Sequence, residues 1–130
     1  MAPAIEFLCD TSVLIDYLRG DERVREILRA DHFSRMSMSS VTVMELVVGA
    51  FNKQEVAKIR IAFGDMHVVH INEDISKKAV ELITEYSKSH NLLIPDALIA
   101  ASALVFDLPL FTRNLSDFRF LPGIELLDES

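Results

Sequence analysis

Short apolar runs alternate along this chain with longer stretches whose apolar residues recur every three or four positions, and that alternation restricts the fold more than any other feature. Ile5 to Cys9 reads as a buried strand, and Val13, Leu14, Tyr17 and Leu18 follow at helical spacing until Gly20. Asp21 caps a second helix carrying Val24, Ile27 and Leu28. Met36 to Ser39 is the next strand candidate, after which Ser40 caps a helix through Val41, Met44, Glu45 and Val48 to Gly49. Lys53 to Phe63 continues helically, with Val56, Ile59 and Phe63 on one face, until Gly64. His67 to Ile71 reads as a strand, Asn72 as a cap, and Ile75, Ala79, Leu82, Ile83 and Tyr86 as the stripe of a long amphipathic helix. Pro95 and Asp96 open a helix, Ala97 to Phe106, that is apolar nearly all round and so is expected against a sheet. Leu110 to Thr112 and Ile124 to Leu127 are the last strands, with a turn or short helix around Leu115 to Phe118 between them. Helices interposed between strands require crossover connections. The expected class is therefore α/β, with helices covering both faces of a parallel central sheet of four to five strands.

The whole chain, residues 1–130, is expected to form one domain, since half of it is apolar and that length can bury roughly two thirds of its unfolded surface. It contains no internal repeat, linker or low-complexity tract. No apolar stretch approaches the roughly 20 residues that span a bilayer, and no basic region precedes the first apolar run as in a signal peptide. The single cysteine, Cys9, lies inside that run, which suits a buried filler in a reducing cytoplasm. The neighbouring Asp10 disfavours the thiolate that a nucleophile requires.

Thirteen basic residues stand against twenty acidic ones, a formal net charge of -7. That balance argues against gripping nucleic acid by bulk electrostatics, which draws on clustered Lys and Arg. Arg19, Arg23, Arg25 and Arg29, and Lys53, Lys58 and Arg60, form loose clusters that read as solvated helix faces.

Four acids stand out near the expected strand-to-helix turns: Asp10 in FLCDTS, Glu45 in SSVTVMEL, Asp96 in LIPDALIAAS and Asp117 in FTRNLSDF. Open parallel sheets place their sites at the carboxyl ends of the strands. Asp10 directly follows the first strand and Asp117 closely follows the Leu110 strand, while Glu45 and Asp96 lie on helices able to run past the same edge. Each has a plainer explanation, such as an Asx turn or N-cap for Asp10, a first-turn helix-dipole partner for Asp96, and an exposed polar residue for Asp117. Glu45 fits such explanations poorly, because nearly every neighbour in VTVMELVVGA is apolar and a carboxylate buried there costs several kcal/mol unless it is ionically satisfied.

Gathered together, carboxylates repel by roughly 1 to 4 kcal/mol per pair at 4 Å. With Arg113 the main cation nearby, either some of them protonate or a hard cation binds. Oxygen donors without paired cysteines favour Mg²⁺ or Mn²⁺ over zinc. His67 and His70, three apart in a strand, are expected to point to opposite faces and so add no zinc site.

Taken in order, DTSVLIDYL, SSVTVMELVVGA, IPDALIAASAL and LFTRNLSDF resemble the PIN domain over nearly the whole chain, most closely the VapC-type toxins of bacterial toxin–antitoxin systems. The resemblance implies an α/β/α sandwich and a magnesium-dependent endoribonuclease that cuts RNA. Its acidic positions fall on Asp10, Glu45 and Asp96, with the fourth on Asp117 and Asn114 as a polar supporter; Thr11, Ser12 and Thr112 match its small hydroxyl positions. Asp10 and Asp96 would chiefly hold the metal. The resemblance also implies a cognate antitoxin and a homodimer. Two other readings compete. A phosphotransfer receiver domain needs a lysine near the last strand, and lysine is absent after Lys88. A non-catalytic metal-binding or protein-interaction module of the same fold needs only helix-capping acids.

Overall fold

The structure, a computed structural model, describes residues 4–127, so the first and last three residues of the expected 1–130 domain lie outside the described residues. The elements run β1 (Phe7–Cys9), α1 (Thr11–Leu18), α2 (Glu22–Ile27), β2 (Met36–Ser39), α3 (Ser40–Gly49), α4 (Lys53–Ala62), β3 (His67–Val69), α5 (Glu73–His90), α6 (Ile94–Val105), β4 (Leu110–Phe111) and β5 (Leu126–Leu127). Two 3₁₀ turns, Ala30–Arg35 and Leu115–Asp117, complete the path.

The five strands form one all-parallel sheet in the order β3-β2-β1-β4-β5. Period-two alternation sends their side chains into two cores. Leu8 and Leu110 join Ile75, Leu82 and the buried alanines of α6 on one face. Phe7, Cys9, Met36, Met38 and Phe111 join Val13, Leu14, Val24, Phe33 and Phe63 on the other, where the Phe7 and Phe111 rings meet edge-on at 5.8 Å. The expected α/β/α sandwich is what the chain forms, and α6 is buried against the sheet as its apolar circumference requires.

Several local expectations shift. The Met36–Ser39 strand has the expected bounds, whereas the other four are shorter than the apolar runs that carry them, because residues at one end of each run find no ladder partner. Ser39, not Ser40, caps α3, its side chain accepting from the Val41 N–H. Asp21 and Asn72 do cap α2 and α5. The Ala30–Arg35 turn has no counterpart in the sequence reading. His70 lies beyond the end of β3, so the alternation argument does not reach it, and both histidines border one groove with Phe106.

The strand order matters most. From β1 the chain steps to β2 and β3 on one side, then returns through α5 and α6 to place β4 on the other side of β1. Connections leaving β1 and β4 thus diverge, opening the crevice at the carboxyl edge where such sheets bind ligands.

Candidate functional site

Asp10 sits at that switch point. It follows β1 directly, caps α1 and is 4% exposed. Its Oδ1 accepts from the Thr11 N–H at 2.9 Å, and its Oδ2 accepts from Ser12 Oγ at 3.0 Å and from Thr112 Oγ1 at 2.8 Å. The Thr112 bond closes the crevice from β4, across 102 residues of sequence. Burial pushes the Asp10 carboxyl above its ordinary range; the hydrogen bonds from Thr112, Ser12 and Thr11 pull it back, and the charge of Glu45 raises it again.

Asp96 lies in the first turn of α6, after Pro95. Proline suits that position because the first helical N–H groups need no partner within the helix. The Asp96 carboxyl is pushed up to about 6, first by burial and then by the charges of Asp10, Asp117 and Glu45. All four acids named from the sequence therefore share one electrostatic neighbourhood.

Of the outer two, Glu45 is placed differently than expected and Asp117 as expected. Glu45 is exposed, and the apolar run around it is not buried, since Met44, Val47 and Val48 also face solvent. The buried-carboxylate argument for Glu45 is thus overturned: α3 runs along the margin of the fold with only Val41, Thr42 and Leu46 buried. Glu45 is nonetheless tied to the surroundings of Asp10, since its Oε1 accepts from Thr11 Oγ1 at 2.7 Å. Asp117 is exposed at the end of the Leu115–Asp117 turn. Nor do all four mark strand-to-helix turns: only Asp10 does, whereas Glu45 is inside α3 and α6 follows a helix.

Thr11 links the two halves of the site. Its N–H serves Asp10, while its hydroxyl lies 2.7 Å from Glu45 and 2.9 Å from Thr42 Oγ1. Thr42 was not singled out from the sequence, although it precedes Glu45 by one helical turn and is a buried hydroxyl in an apolar segment. Asn114 contributes through its backbone, donating its N–H to Thr112 Oγ1 at 3.0 Å. The Arg113 N–H reaches Ser12 Oγ at 3.5 Å, while its guanidinium pairs with Asp21 at 2.7 Å and Asp16 at 3.4 Å. Cys9 is fully buried, and burial together with the Asp10 charge pushes its thiol far above the ordinary range, consistent with a filler.

The donor set is oxygen throughout. Among the described residues no three His, Cys, Asp or Glu side chains form a ready-made cage for a metal. That geometry still fits Mg²⁺ or Mn²⁺: Mg²⁺ typically keeps several waters and takes only one or two carboxylates from the protein.

The PIN domain family model matches residues 7–120. The chain belongs to the PIN domain family. It is 34% identical over 115 residues to Ribonuclease VapC10 of Mycobacterium tuberculosis, covering 85% of this chain and 84% of that protein. Ribonuclease VapC19 of the same species is 29% identical over 121 residues, covering 91% and 96%. Among solved structures, a toxin–antitoxin complex from Klebsiella pneumoniae superposes with a TM-score of 0.79 at 33% identity, over 96% of this chain and 98% of that one.

Proposed function

We propose that this PIN-domain chain is a divalent-metal-dependent endoribonuclease and the toxin of a toxin–antitoxin pair acting in the cytoplasm. The observation that carries this reading is the raised Asp96 carboxyl beside buried Asp10, with Glu45 and Asp117 acting on the same group. Acids gathered at such cost are expected where a cation offsets them. The ribonuclease names of its relatives support the reaction, and the Klebsiella complex supports the partner.

Asp10 and Asp96 would hold Mg²⁺ or Mn²⁺, with Glu45 and Asp117 joining directly or through water. When bound, such an ion supplies positive charge against the scissile phosphate and lowers the pKa of a water it holds. The chain's own contribution is orientation. Thr112 and Ser12 donate to one oxygen of Asp10, which fixes the rotation of that carboxylate, and Thr11 fixes Glu45. A cation at this edge gives an acidic protein a local positive charge for RNA.

The antitoxin fits a second feature. A groove of about 410 Å³ between α1, α3 and α4 is bordered by Ile15, Leu18, Leu46 and Ile59, and Glu45 lies on its rim. An antitoxin tail lying in this groove and presenting an arginine to the carboxylates would block the site with charge-assisted hydrogen bonds. Homodimerisation belongs to the same reading; Val48, at 85% exposure, and Phe51, at 89%, offer apolar surface to cover.

The deciding experiment assays purified wild type, Asp10→Asn and Asp96→Asn on RNA across a magnesium series. Loss of cleavage with an intact fold is expected for both variants, together with relief of growth arrest on expression. Full activity in either variant would remove the site assignment, and a wild type indifferent to Mg²⁺ would favour a non-catalytic module.

A further inference from the structure

Three aromatic rings meet on segments that adjoin Asp96 and Asp117 in sequence, outside everything described above. His90 is the last residue of α5, four positions before α6 opens with Asp96 in its first turn. Its ring stacks on Phe120 with centroids 4.3 Å apart and planes 14° from parallel. Phe120 stands three residues after Asp117. Tyr86, one turn earlier on α5, meets Phe120 at 5.4 Å and His90 at 5.7 Å. One half of the stack thus ends the helix that precedes the one carrying Asp96, and the other half follows Asp117 by three residues.

Core packing accounts for Tyr86 and Phe120, which are half-buried against the α5–α6 core. It does not account for His90, whose ring is exposed yet held on three sides: by Phe120 beneath, by Tyr86 at its edge, and by Ser89 Oγ 2.8 Å from Nδ1. Fixing an exposed side chain sacrifices rotamer freedom with little burial in return. It does produce a preorganised flat surface, and unpaired bases stack on such surfaces.

We infer that the His90 ring, stacked on Phe120, is a platform for one unpaired base of an RNA strand lying across the acidic edge. The inference rests on the nuclease reading and specifies how that site would take single-stranded RNA. It also answers the charge problem. A chain of net charge -7 has little electrostatic grip to offer, whereas stacking is sequence-tolerant and needs no positive field. Exposed Arg119, adjacent in sequence to Phe120, adds a phosphate contact beside it.

The test measures affinity for a fluorescently labelled, unstructured oligoribonucleotide in EDTA, where binding is read without cleavage. His90→Ala is expected to weaken binding roughly tenfold. The slope of affinity against salt should stay unchanged, because stacking releases no counterions. His90→Phe, which keeps the flat ring, should restore most of the affinity, and an abasic position in the RNA should abolish the difference between wild type and His90→Ala. In Mg²⁺, His90→Ala should raise KM with little change in kcat. Phe120→Leu serves as a second variant that keeps apolar bulk beneath the imidazole while removing the stack. Equal affinity for wild type and His90→Ala overturns the platform, as does a wild type with no measurable RNA binding or equal losses in His90→Ala and His90→Phe. The two readings fail separately. A wild type that binds through His90 but never cuts defeats the nuclease reading, and one that cuts normally with His90→Ala binding unchanged defeats the platform alone.

Discussion

The inner and outer acids of this site are built on opposite principles. Asp10 and Asp96 are withdrawn from water and raised above the ordinary carboxylate range, and Asp10 is held by three hydrogen bonds from two strand ends. Glu45 and Asp117 are exposed, and Glu45 is steadied chiefly by one threonine hydroxyl. The inner pair has its geometry set by the fold at a cost in stability. The outer pair can adjust to whatever arrives. Ligands should therefore lean on the inner pair for position and on the outer pair for charge.

The largest expected effect tests that ranking. Asp10→Asn should lower cleavage by on the order of a thousandfold or more, since it weakens an ion whose contribution is several kcal/mol. Glu45→Gln and Asp117→Asn should each cost about tenfold. Equal losses at all four positions, measured as kcat/KM, would erase the distinction between the pairs.

Thr112→Val comes next. The change is nearly isosteric at a buried position, but it removes a donor to Asp10 and the acceptor of the Asn114 N–H. Activity should fall about ten- to a hundredfold through loss of orientation. A smaller loss would mean that Ser12 and the Thr11 N–H suffice to hold Asp10.

Stability gives a smaller but independent signal. In EDTA, Asp96→Asn relieves repulsion from Asp10, Asp117 and Glu45, and should raise the melting temperature by a few degrees, roughly 1 kcal/mol. Mg²⁺ should then stabilise the wild type more than the variant, increasingly with free ion. Helix capping alone predicts parallel melts with no metal dependence.

The smallest effect is a pH slope. The Asp96 carboxyl stands at about 6 in the fold against about 3.9 in an unfolded chain. The folded state binds that proton more tightly, so this contribution is whole below about pH 4 and is lost as pH rises through about 6. Asp10, also raised, acts with the same sign. Asp21 opposes them: the Val24 N–H and Arg113 hold its carboxyl below the usual range, so its contribution fades only in stronger acid. Metal-free wild type should lose more melting temperature between pH 5 and 7.5 than Asp96→Asn does, whereas Mg²⁺ binding should weaken as pH falls toward 5, because the ligands must be deprotonated.

Much of this arrangement was legible because it depends on local signals. The Ile5–Cys9 run ending in Asp10 announces a strand feeding a capped helix, and the apolar circumference of α6 announces burial. The exposure of Glu45 is not legible in the sequence because helical periodicity does not distinguish a buried apolar segment from one left uncovered at the margin, where Met44 and Val48 lie. Thr42 escaped notice because a hydroxyl in a helix has no pattern until its partner, Thr11, arrives from another element. The Ala30–Arg35 turn escaped for want of any apolar period. Strand order, which creates the crevice, leaves no local mark in the residues and is read only from the fold.

The bond between Asp10 and Thr112 sets a schedule as well as a geometry. Chains emerge from the ribosome amino end first, at about 5–20 residues per second. Thr112, just past the strand that completes the surroundings of Asp10, is made 102 residues after it. Until β4 docks beside β1, the crevice has one wall, and Asp10 has only its local donors, Thr11 and Ser12, to orient it. The site is therefore among the last parts of the fold to be completed, since its second wall must be both made and docked before the crevice exists.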